Sequence, residues 1–209
     1  MTALDAIGEQ MVVSASEDRT IRLWKVAEET QLLFGGGASP IDAVAMLTPS
    51  SFVSGAQDGS LVLWSSLRKK QLSSVHLAHG RGGAATGSGS PCWISALAAP
   101  AVSDVVISGS CDGAVRFWHA DEEGRSLSAI GETPLAGFVN GLAVAPSGKF
   151  VAAAVGQVRG ERGVCVCVCV YIYMHIYIYM DIHLYIYTYI HTYIYIYILY
   201  YRSPGIPVW

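Results

Sequence analysis

A short pattern occurs three times in this 209-residue chain: small residues, an aspartate, an alternating run and a closing tryptophan. The copies are VVSASEDRTIRLW, FVSGAQDGSLVLW and VISGSCDGAVRFW, which close on Trp24, Trp64 and Trp118. In each copy the aspartate precedes the tryptophan by six residues, and successive tryptophans are 40 and 54 residues apart. A period of about 40 residues predicts stacked units that bury their apolar faces only against one another.

Alternating apolar and polar residues in each copy predict short antiparallel strands joined by turns. Asp58 and Asp112 are each followed by glycine, a pair typical of tight hairpin turns because glycine tolerates a positive φ. Asp18 is followed by Arg19, a weaker turn former. The longer interval between tryptophans contains the Gly/Ser/Ala-rich stretch 79–91, which we interpret as an inserted loop. The predicted fold class is all-β, with four strands in each unit.

These units resemble WD40 repeats, which build β-propellers from blades of four antiparallel strands. The resemblance implies a hydrogen-bonded set made of a histidine before the first strand, a serine or threonine on the second strand, the turn aspartate and the third-strand tryptophan. The residues assigned to this structural role are Asp18, Trp24, Asp58, Trp64, Asp112 and Trp118. Two features depart from the family pattern: no Gly-His dipeptide precedes any first strand, and the tryptophans are followed by Lys25, Ser65 and His119 instead of aspartate.

The predicted architecture is a partial propeller of about three and a quarter blades in residues 10–157, preceded by a lead over residues 1–9. The smallest propellers have four blades, so a closed ring is not expected from these units alone. Open terminal sheets expose strand edges, and we therefore expect marginal stability.

Several stretches carry a more specific similarity: SGAQDGSLVLW, AHG at 78–80, PCWIS at 91–95 and LAGFVNGLAVAPSGKFVAAAVGQ at 135–157. They resemble the last blades of the WD-repeat proteins of the U3 small nucleolar ribonucleoprotein. The resemblance implies binding to U3 small nucleolar RNA and its proteins, pre-ribosomal RNA processing within the small-subunit processome, and a nucleolar location in the nucleus. Two alternatives stay open: a generic scaffold that binds proteins through the propeller surface, and a non-functional product of a truncated gene model.

The charge of the whole chain gives no sign of nucleic acid binding, because its 13 Lys and Arg residues are outnumbered by 16 Asp and Glu residues. One compact basic cluster, made of Arg68, Lys69 and Lys70, follows the second tryptophan, and Arg81 lies in the neighbouring loop. These four residues belong either to solvated turns or to a contact with RNA phosphates.

The sequence shows no catalytic or cofactor-binding pattern. The repeated aspartates are turn residues, and the Gly-rich stretch lacks the Lys and Ser/Thr of a phosphate-binding loop. We therefore expect a protein that is not an enzyme and takes no cofactor or small-molecule substrate. Residues 1–10 lack the basic start and apolar stretch of a secretory signal.

Residues 158–209 form a low-complexity Tyr/Ile tail, which holds all twelve tyrosines of the chain. Repeated Val-Cys corresponds to a GT dinucleotide run and repeated Tyr-Ile to a TA run, so we interpret the tail as a translated microsatellite or retained intron. The same origin explains, without a metal site, the regular spacing of Cys165, Cys167, Cys169, His175, His183 and His191. Dense tyrosine, the histidines and Asp181 argue against a membrane span.

Overall fold

The residues described by this computed structural model are 1–35, 37–82, 89–135 and 137–156, with the backbone of two further strands at 168–173 and 194–197. Over these residues the chain forms four antiparallel sheets of four strands each and contains no α-helix. The predicted all-β class with four-stranded units is confirmed. In the same part of the chain, none of the helical segments has the length and apolar character needed to cross a membrane.

Each sheet is built from strands that are consecutive in the chain. The first sheet contains β1 (Ala3–Ile7), β2 (Met11–Ala15), β3 (Thr20–Lys25) and β4 (Thr30–Gly35), with a single 3-10 turn at Val26–Glu28. The second sheet contains β5 (Ile41–Thr48), β6 (Ser51–Ala56), β7 (Leu61–Ser65) and β8 (Lys70–Val75). The third sheet contains β9 (Ile94–Ala98), β10 (Val105–Ser110), β11 (Ala114–Asp121) and β12 (Ser126–Pro134). The fourth sheet contains β13 (Phe138–Val144), β14 (Phe150–Gly156), β15 (Val168–Tyr173) and β16 (Ile194–Tyr197).

The structure adds strands at both ends of the predicted repeat region. Strand β1 lies within the predicted lead and pairs with β2 along its whole length. Asp5 Oδ2 also accepts a hydrogen bond of 2.7 Å from the backbone N–H of Met46, which ties β1 to the second sheet. At the other end, β15 and β16 come from the predicted tail and complete the fourth sheet beside β14. Segments of high β-propensity have paired with strand edges that the repeats alone leave open.

Three apolar layers lie between successive sheets. In the first layer, Phe34 of the first sheet meets Phe52 and Trp64 of the second, at ring-centroid distances of 5.1 and 5.9 Å. In the second layer, Trp118 of the third sheet packs with aliphatic side chains of the second sheet. The third-strand tryptophan of a sheet therefore points toward the preceding sheet. Trp24 of the first sheet points outward on the same rule and is 37% exposed.

Two glycines allow close approach of neighbouring sheets. A Cβ atom on Gly55 would overlap the side chain of Ile94, and one on Gly109 would overlap Val139. Each glycine lies on the second strand of its sheet and faces the sheet that follows. The narrow spacing of these layers consequently requires a residue without a side chain at these positions.

The fourth sheet is paired one residue out of the register of the other sheets. Met46 pairs with Phe52 in the second sheet, whereas at the equivalent place Val144 pairs with Val151, the residue after Phe150. A shift by one residue turns the alternate side chains toward the neighbouring sheet. Val151 is fully buried as a result, and Phe150 is 40% exposed.

The connections between strands lie at two ends of the stacked sheets. The end that carries the turns between second and third strands, and the connections between sheets, is called the upper end here. The end that carries the turns between first and second, and between third and fourth strands, is called the lower end.

Candidate functional site

The most extensive polar set of the described residues lies at the upper end of the third sheet. His79, in the connection before β9, places Nε2 2.7 Å from Ser108 Oγ and Nδ1 2.9 Å from Asp112 Oδ1. The Trp118 indole N–H donates to the same Ser108 oxygen at 2.8 Å. The connection, the second strand, the turn and the third strand are therefore joined by one chain of hydrogen bonds.

Sequence analysis did not single out His79 or Ser108. The family pattern predicts Gly-His next to a first strand, whereas here His79 precedes Gly80 and lies 15 residues before Ile94. The stretch predicted as an inserted loop separates the histidine from its strand, and residues 83–88 of that stretch lie outside the described part of the chain. The only available signal was the Ala-His-Gly triplet itself.

Asp112 is held ionised by its neighbours. Burial by itself raises the pKa of this carboxyl, but the hydrogen bond and charge of His79 and the charge of Arg116 outweigh burial and lower the pKa below its usual value. Arg116 Nη1 lies 2.7 Å from Asp112 Oδ2 and also donates to the Ala78 carbonyl oxygen at 3.2 Å. The Asp112 side chain is 13% exposed, although the backbone of its turn faces solvent. This carboxylate thus links the connection to β11.

The first and second sheets contain the Trp-Ser part of the set. Trp24 Nε1 donates to Ser14 Oγ at 2.9 Å, and Trp64 Nε1 donates to Ser54 Oγ at 2.9 Å. Neither bond continues to a histidine among the described residues. The hydrogen-bonded chain in these two sheets is therefore shorter than that of the third sheet.

The turn aspartates of the first two sheets bond only within their own turns. Asp18 Oδ1 accepts hydrogen bonds from the Thr20 hydroxyl at 2.7 Å and the Thr20 backbone N–H at 2.9 Å, and these bonds lower the pKa of its carboxyl. Asp58 Oδ1 accepts one from the Ser60 N–H at 2.9 Å. Both are turn caps that hold the start of the third strand.

Ser108, His79 and Asp112 have the connectivity of a Ser-His-Asp catalytic triad. Two of these residues are as inaccessible to solvent as core residues, since Ser108 is 0% exposed and His79 is 2% exposed. The hydroxyl oxygen that would act as nucleophile accepts the indole N–H of Trp118. A nucleophile has to approach a substrate atom within about 3.5 Å. This hydroxyl is enclosed by protein, so the geometry favours a structural role for the three residues.

Two of the residues that replace the family aspartate after the tryptophan contact a carboxylate. His119 Nε2 lies 2.9 Å from Asp104 Oδ2, and Lys25 Nζ lies 3.1 Å from Glu28 Oε2. These contacts join neighbouring strands or turns at the lower end. In the first and third sheets, the residue after the tryptophan therefore makes a local contact with a carboxylate.

The four predicted basic residues do not form one group. Arg68, Lys69 and Lys70 are exposed in and beside the turn from β7 to β8, at the lower end. Arg81 is exposed at the upper end, and its Nη1 donates to the Gly89 carbonyl oxygen at 3.0 Å. Strand β8 runs between the two places, so a single short RNA segment cannot contact both.

The structure describes no group of three or more His, Cys, Asp or Glu residues that would hold a metal ion. We predicted that the regularly spaced cysteines and histidines of the tail do not bind a metal. Their side chains lie outside the described residues. Among the described cysteines, burial and the neighbouring Cys111 thiol raise the pKa of Cys92 to about 12, so this thiol stays protonated.

The family model "WD domain, G-beta repeat" matches residues 7–25 and 84–119. The chain is 35% identical over 162 residues to a U3 snoRNP-associated protein-like protein of Arabidopsis thaliana, which covers 75% of this chain and 34% of that relative. It is 40% identical over 129 residues to the human U3 small nucleolar RNA-interacting protein 2, covering 62% of this chain and 27% of the relative. The chain spans between about a quarter and one third of the length of these curated relatives.

Solved structures show the same stacking of sheets. The crystal structure of RRP9 WD40 repeats is 40% identical, with a TM-score of 0.68 over 77% of this chain and 49% of that chain. The structure of U3-55K has the same sequence identity and TM-score, and the match covers 77% of this chain and 50% of the U3-55K chain.

Proposed function

This chain belongs to the WD40-repeat proteins, and on that premise we propose that it is a non-catalytic component of the U3 small nucleolar ribonucleoprotein. The proposal includes binding to U3 small nucleolar RNA, pre-ribosomal RNA processing within the small-subunit processome and a nucleolar location. The observation that carries it is the similarity of the stacked sheets, in fold and sequence together, to RRP9 WD40 repeats. A match in fold alone would support the propeller architecture but would not indicate a binding partner.

The non-catalytic part of the proposal rests on the buried polar set. In the third sheet, serine, histidine and aspartate are used to join strands, and Ser108 has no solvent-accessible surface. We propose the same structural role for the shorter sets of the first and second sheets. Partners then bind to the surface of the stacked sheets and not in an enclosed pocket.

We further propose that Arg68, Lys69 and Lys70 contact RNA phosphates at the lower end. All three are exposed. Replacing them together by glutamine is expected to weaken RNA binding equally for all sequences and to reduce the slope of log affinity against log salt. The measurement is RNA affinity at several salt concentrations, and an unchanged slope rejects the contact.

A second candidate function is a scaffold that binds proteins. The outward face of the first sheet favours it, because Leu4 is 57% exposed and Leu33 is 60% exposed on the same side as Trp24. Apolar groups gathered on one sheet face are typical of protein interfaces.

Pull-down with the full chain tests the proposal against this alternative. The tagged chain is incubated with a nuclear extract, and bound RNA and proteins are identified, with transfer RNA as the control for non-specific retention. Enrichment of U3 RNA over transfer RNA is expected. Retention of proteins without U3 RNA contradicts the proposal and favours the scaffold.

A further inference from the structure

The outward face of the first sheet has the side chains of an inner layer. On each first strand, one residue lies opposite the serine that accepts the tryptophan N–H: Leu4, Val44 and Leu97 in the first, second and third sheets. Val44 is buried against the first sheet, and Leu97 packs against the layer shared with the second sheet. Leu4, at the same position of the first sheet, is exposed. An apolar sheet face of this kind is stable when another layer packs on it.

The fourth strand makes this face more apolar than its counterparts. Leu33 lies opposite Arg22, where the corresponding residues of the second and third sheets are Ser74 and Glu132. Leu33 and Trp24 are both exposed, although Trp24 keeps its hydrogen bond to the second strand. The first sheet therefore carries more exposed apolar surface on this side than a sheet edge in water requires.

The fourth sheet has an apolar face on its opposite side. Val151 is buried against the third sheet, and strand residues that alternate with it point the other way. These residues of β14 are Phe150, Ala152 and Ala154, and Ala143 of β13 lies opposite Ala152. Phe150, Ala154 and Ala143 are exposed. This face consists of small apolar residues and one phenylalanine.

Small residues on the second strand are also what the inner layers contain. Ala15 is buried in the layer between the first and second sheets. Gly55 and Gly109, on the second strands of the next two sheets, leave room for a side chain of the sheet that follows. Ala152 and Ala154 are likewise small, so the fourth sheet can accept the side chains of a further sheet.

Phe150 has a counterpart in the first layer as well. Met11 begins the second strand of the first sheet at the lower end and packs in the layer that contains Trp64. Phe150 begins the second strand of the fourth sheet at the same end. At the lower end of the first sheet, a recess of about 320 Å³ is lined by Trp24, Val26 and other residues beside the β3–β4 turn. A phenylalanine is small enough to enter a recess of this volume.

We propose that the outward face of the first sheet packs on the outward face of the fourth sheet of a second copy of this chain, with Phe150 of one copy beside Trp24 of the other. Each copy carries both faces, so two copies can pair head to tail. Two copies of four sheets each stay within the range of about four to eight blades found in propellers. The match to RRP9 covers 49% of that chain, so two copies supply about as much of the fold as one solved chain. The inference goes beyond the proposed function and does not depend on RNA binding.

The mass of the full chain in solution tests the contact. Sedimentation from about 1 to about 100 µM should show the mass rise from one copy to two, because association depends on concentration. Leu33→Glu places a charge on the first-sheet face, and Ala154→Glu places one on the fourth-sheet face. Each variant alone should pair about tenfold or more weakly than the unaltered chain, because burial of an unpaired carboxylate is unfavourable.

A one-to-one mixture of the two variants distinguishes this contact from other modes of association. In the mixture, one copy keeps its first-sheet face and the other its fourth-sheet face, so pairs held by one contact should form again. Leu67→Glu is the matched control, since Leu67 is 80% exposed in the turn after β7 and lies on neither face. Leu4→Glu is a second variant of the first-sheet face, and circular dichroism checks that every variant stays folded.

Three results would overturn the inference and leave the proposed function standing. The first is a single copy at every concentration. The second is association that survives both glutamate substitutions or does not recover in the mixture. The third is pairing that Leu33→Glu prevents and Ala154→Glu does not, which indicates that two first-sheet faces pack on each other. Pairing as expected in a chain that binds no U3 RNA supports the contact and contradicts the proposed function.

Exchange of the Trp24 indole N–H gives a second measurement of the contact. The exchange rate should fall as the chain concentration rises, while the rate for Trp118 stays unchanged. Separate copies form continually in this equilibrium, so Trp24 still exchanges faster than Trp118, whose exposure requires unfolding. A Trp24 rate that is independent of concentration, over a range in which the mass doubles, contradicts the contact.

Discussion

The first and third sheets carry the same repeat, yet their tryptophans have different surroundings. Trp118 is 4% exposed and packs against the second sheet, whereas Trp24 is 37% exposed and meets the Arg22 guanidinium at 6.0 Å from its ring centre. Both donate to a serine on the neighbouring strand. The repeat therefore determines the position and hydrogen bond of the tryptophan, while its burial depends on the sheet before it.

The polar sets differ in the same way. The third sheet receives His79 from the connection that precedes it, and this residue joins Ser108 to Asp112. The first sheet has only the Trp24-Ser14 bond and a solvent-exposed Asp18. The second sheet also follows another sheet, and its Trp64–Ser54 bond does not reach a histidine among the described residues. The set of the third sheet is therefore longer because the connection before it supplies His79.

The largest effect is expected from removal of the buried tryptophan. Trp118→Ala leaves a cavity between the second and third sheets and removes a hydrogen bond, so the free energy of unfolding should fall by about 3–5 kcal/mol. Trp24→Ala, the matched change at a partly exposed site, should cost about 1 kcal/mol. Urea unfolding of the two variants measures the difference, and equal losses would contradict the comparison.

Removal of the linking histidine should have the next largest effect. His79→Ala removes one hydrogen-bond partner from the buried Ser108 hydroxyl and one from the Asp112 carboxylate, which should cost about 2–3 kcal/mol. His76→Ala is the control three residues away, because His76 is exposed, and it should leave the unfolding curve unchanged. If both variants unfold at the same urea concentration, the set does not stabilise the third sheet.

Asp112→Asn should cost about 2 kcal/mol at pH 7 because it weakens the bonds to His79 and Arg116. The pKa of Asp112 is lowered in the folded protein, so the carboxylate stabilises the fold wherever it is ionised. This advantage over the asparagine variant is full at neutral pH, declines as the pH falls below about 4, and is lost below the folded-state pKa. Unfolding measured from pH 7 to pH 2 checks this, and a difference that grows on acidification would refute the assignment.

The smallest effect is expected at the turn of the first sheet. Asp18→Asn keeps an oxygen that accepts the hydrogen bonds from Thr20, and the carboxylate is fully exposed to solvent. Its unfolding curve should coincide with that of the unaltered chain. A loss as large as that of Asp112→Asn would show that exposed turn aspartates carry as much of the stability as the buried set.

The sequence was sufficient to predict the all-β class, because three copies of one pattern share both spacing and alternation. It did not predict the role of His79, since an insertion separates that residue from the strand whose sheet it serves. Neither did it predict the register of the fourth sheet. Phe150 and Val151 are both apolar, so alternation does not distinguish which of them faces the neighbouring sheet.

The predicted RNA-contact residues show a related limit. Arg68 to Lys70 and Arg81 are close in sequence, but a strand of six residues places them at opposite ends of the sheets. Trp93 was part of a motif that carried the family resemblance, and its exposure became visible only in the structure. Sequence spacing indicates which residues share a strand, whereas accessibility depends on contacts between distant segments.

Hydrogen exchange at the indole N–H groups tests the central claim most directly, because it reports burial and hydrogen bonding of each tryptophan in the unaltered chain. NMR signals are assigned with single Trp→Phe variants, and the exchange rates of Trp24, Trp64 and Trp118 are compared. The account predicts slow exchange for Trp64 and Trp118 and fast exchange for Trp24. Protection of Trp24 equal to that of Trp118 would contradict the claim that the preceding sheet buries the third-strand tryptophan.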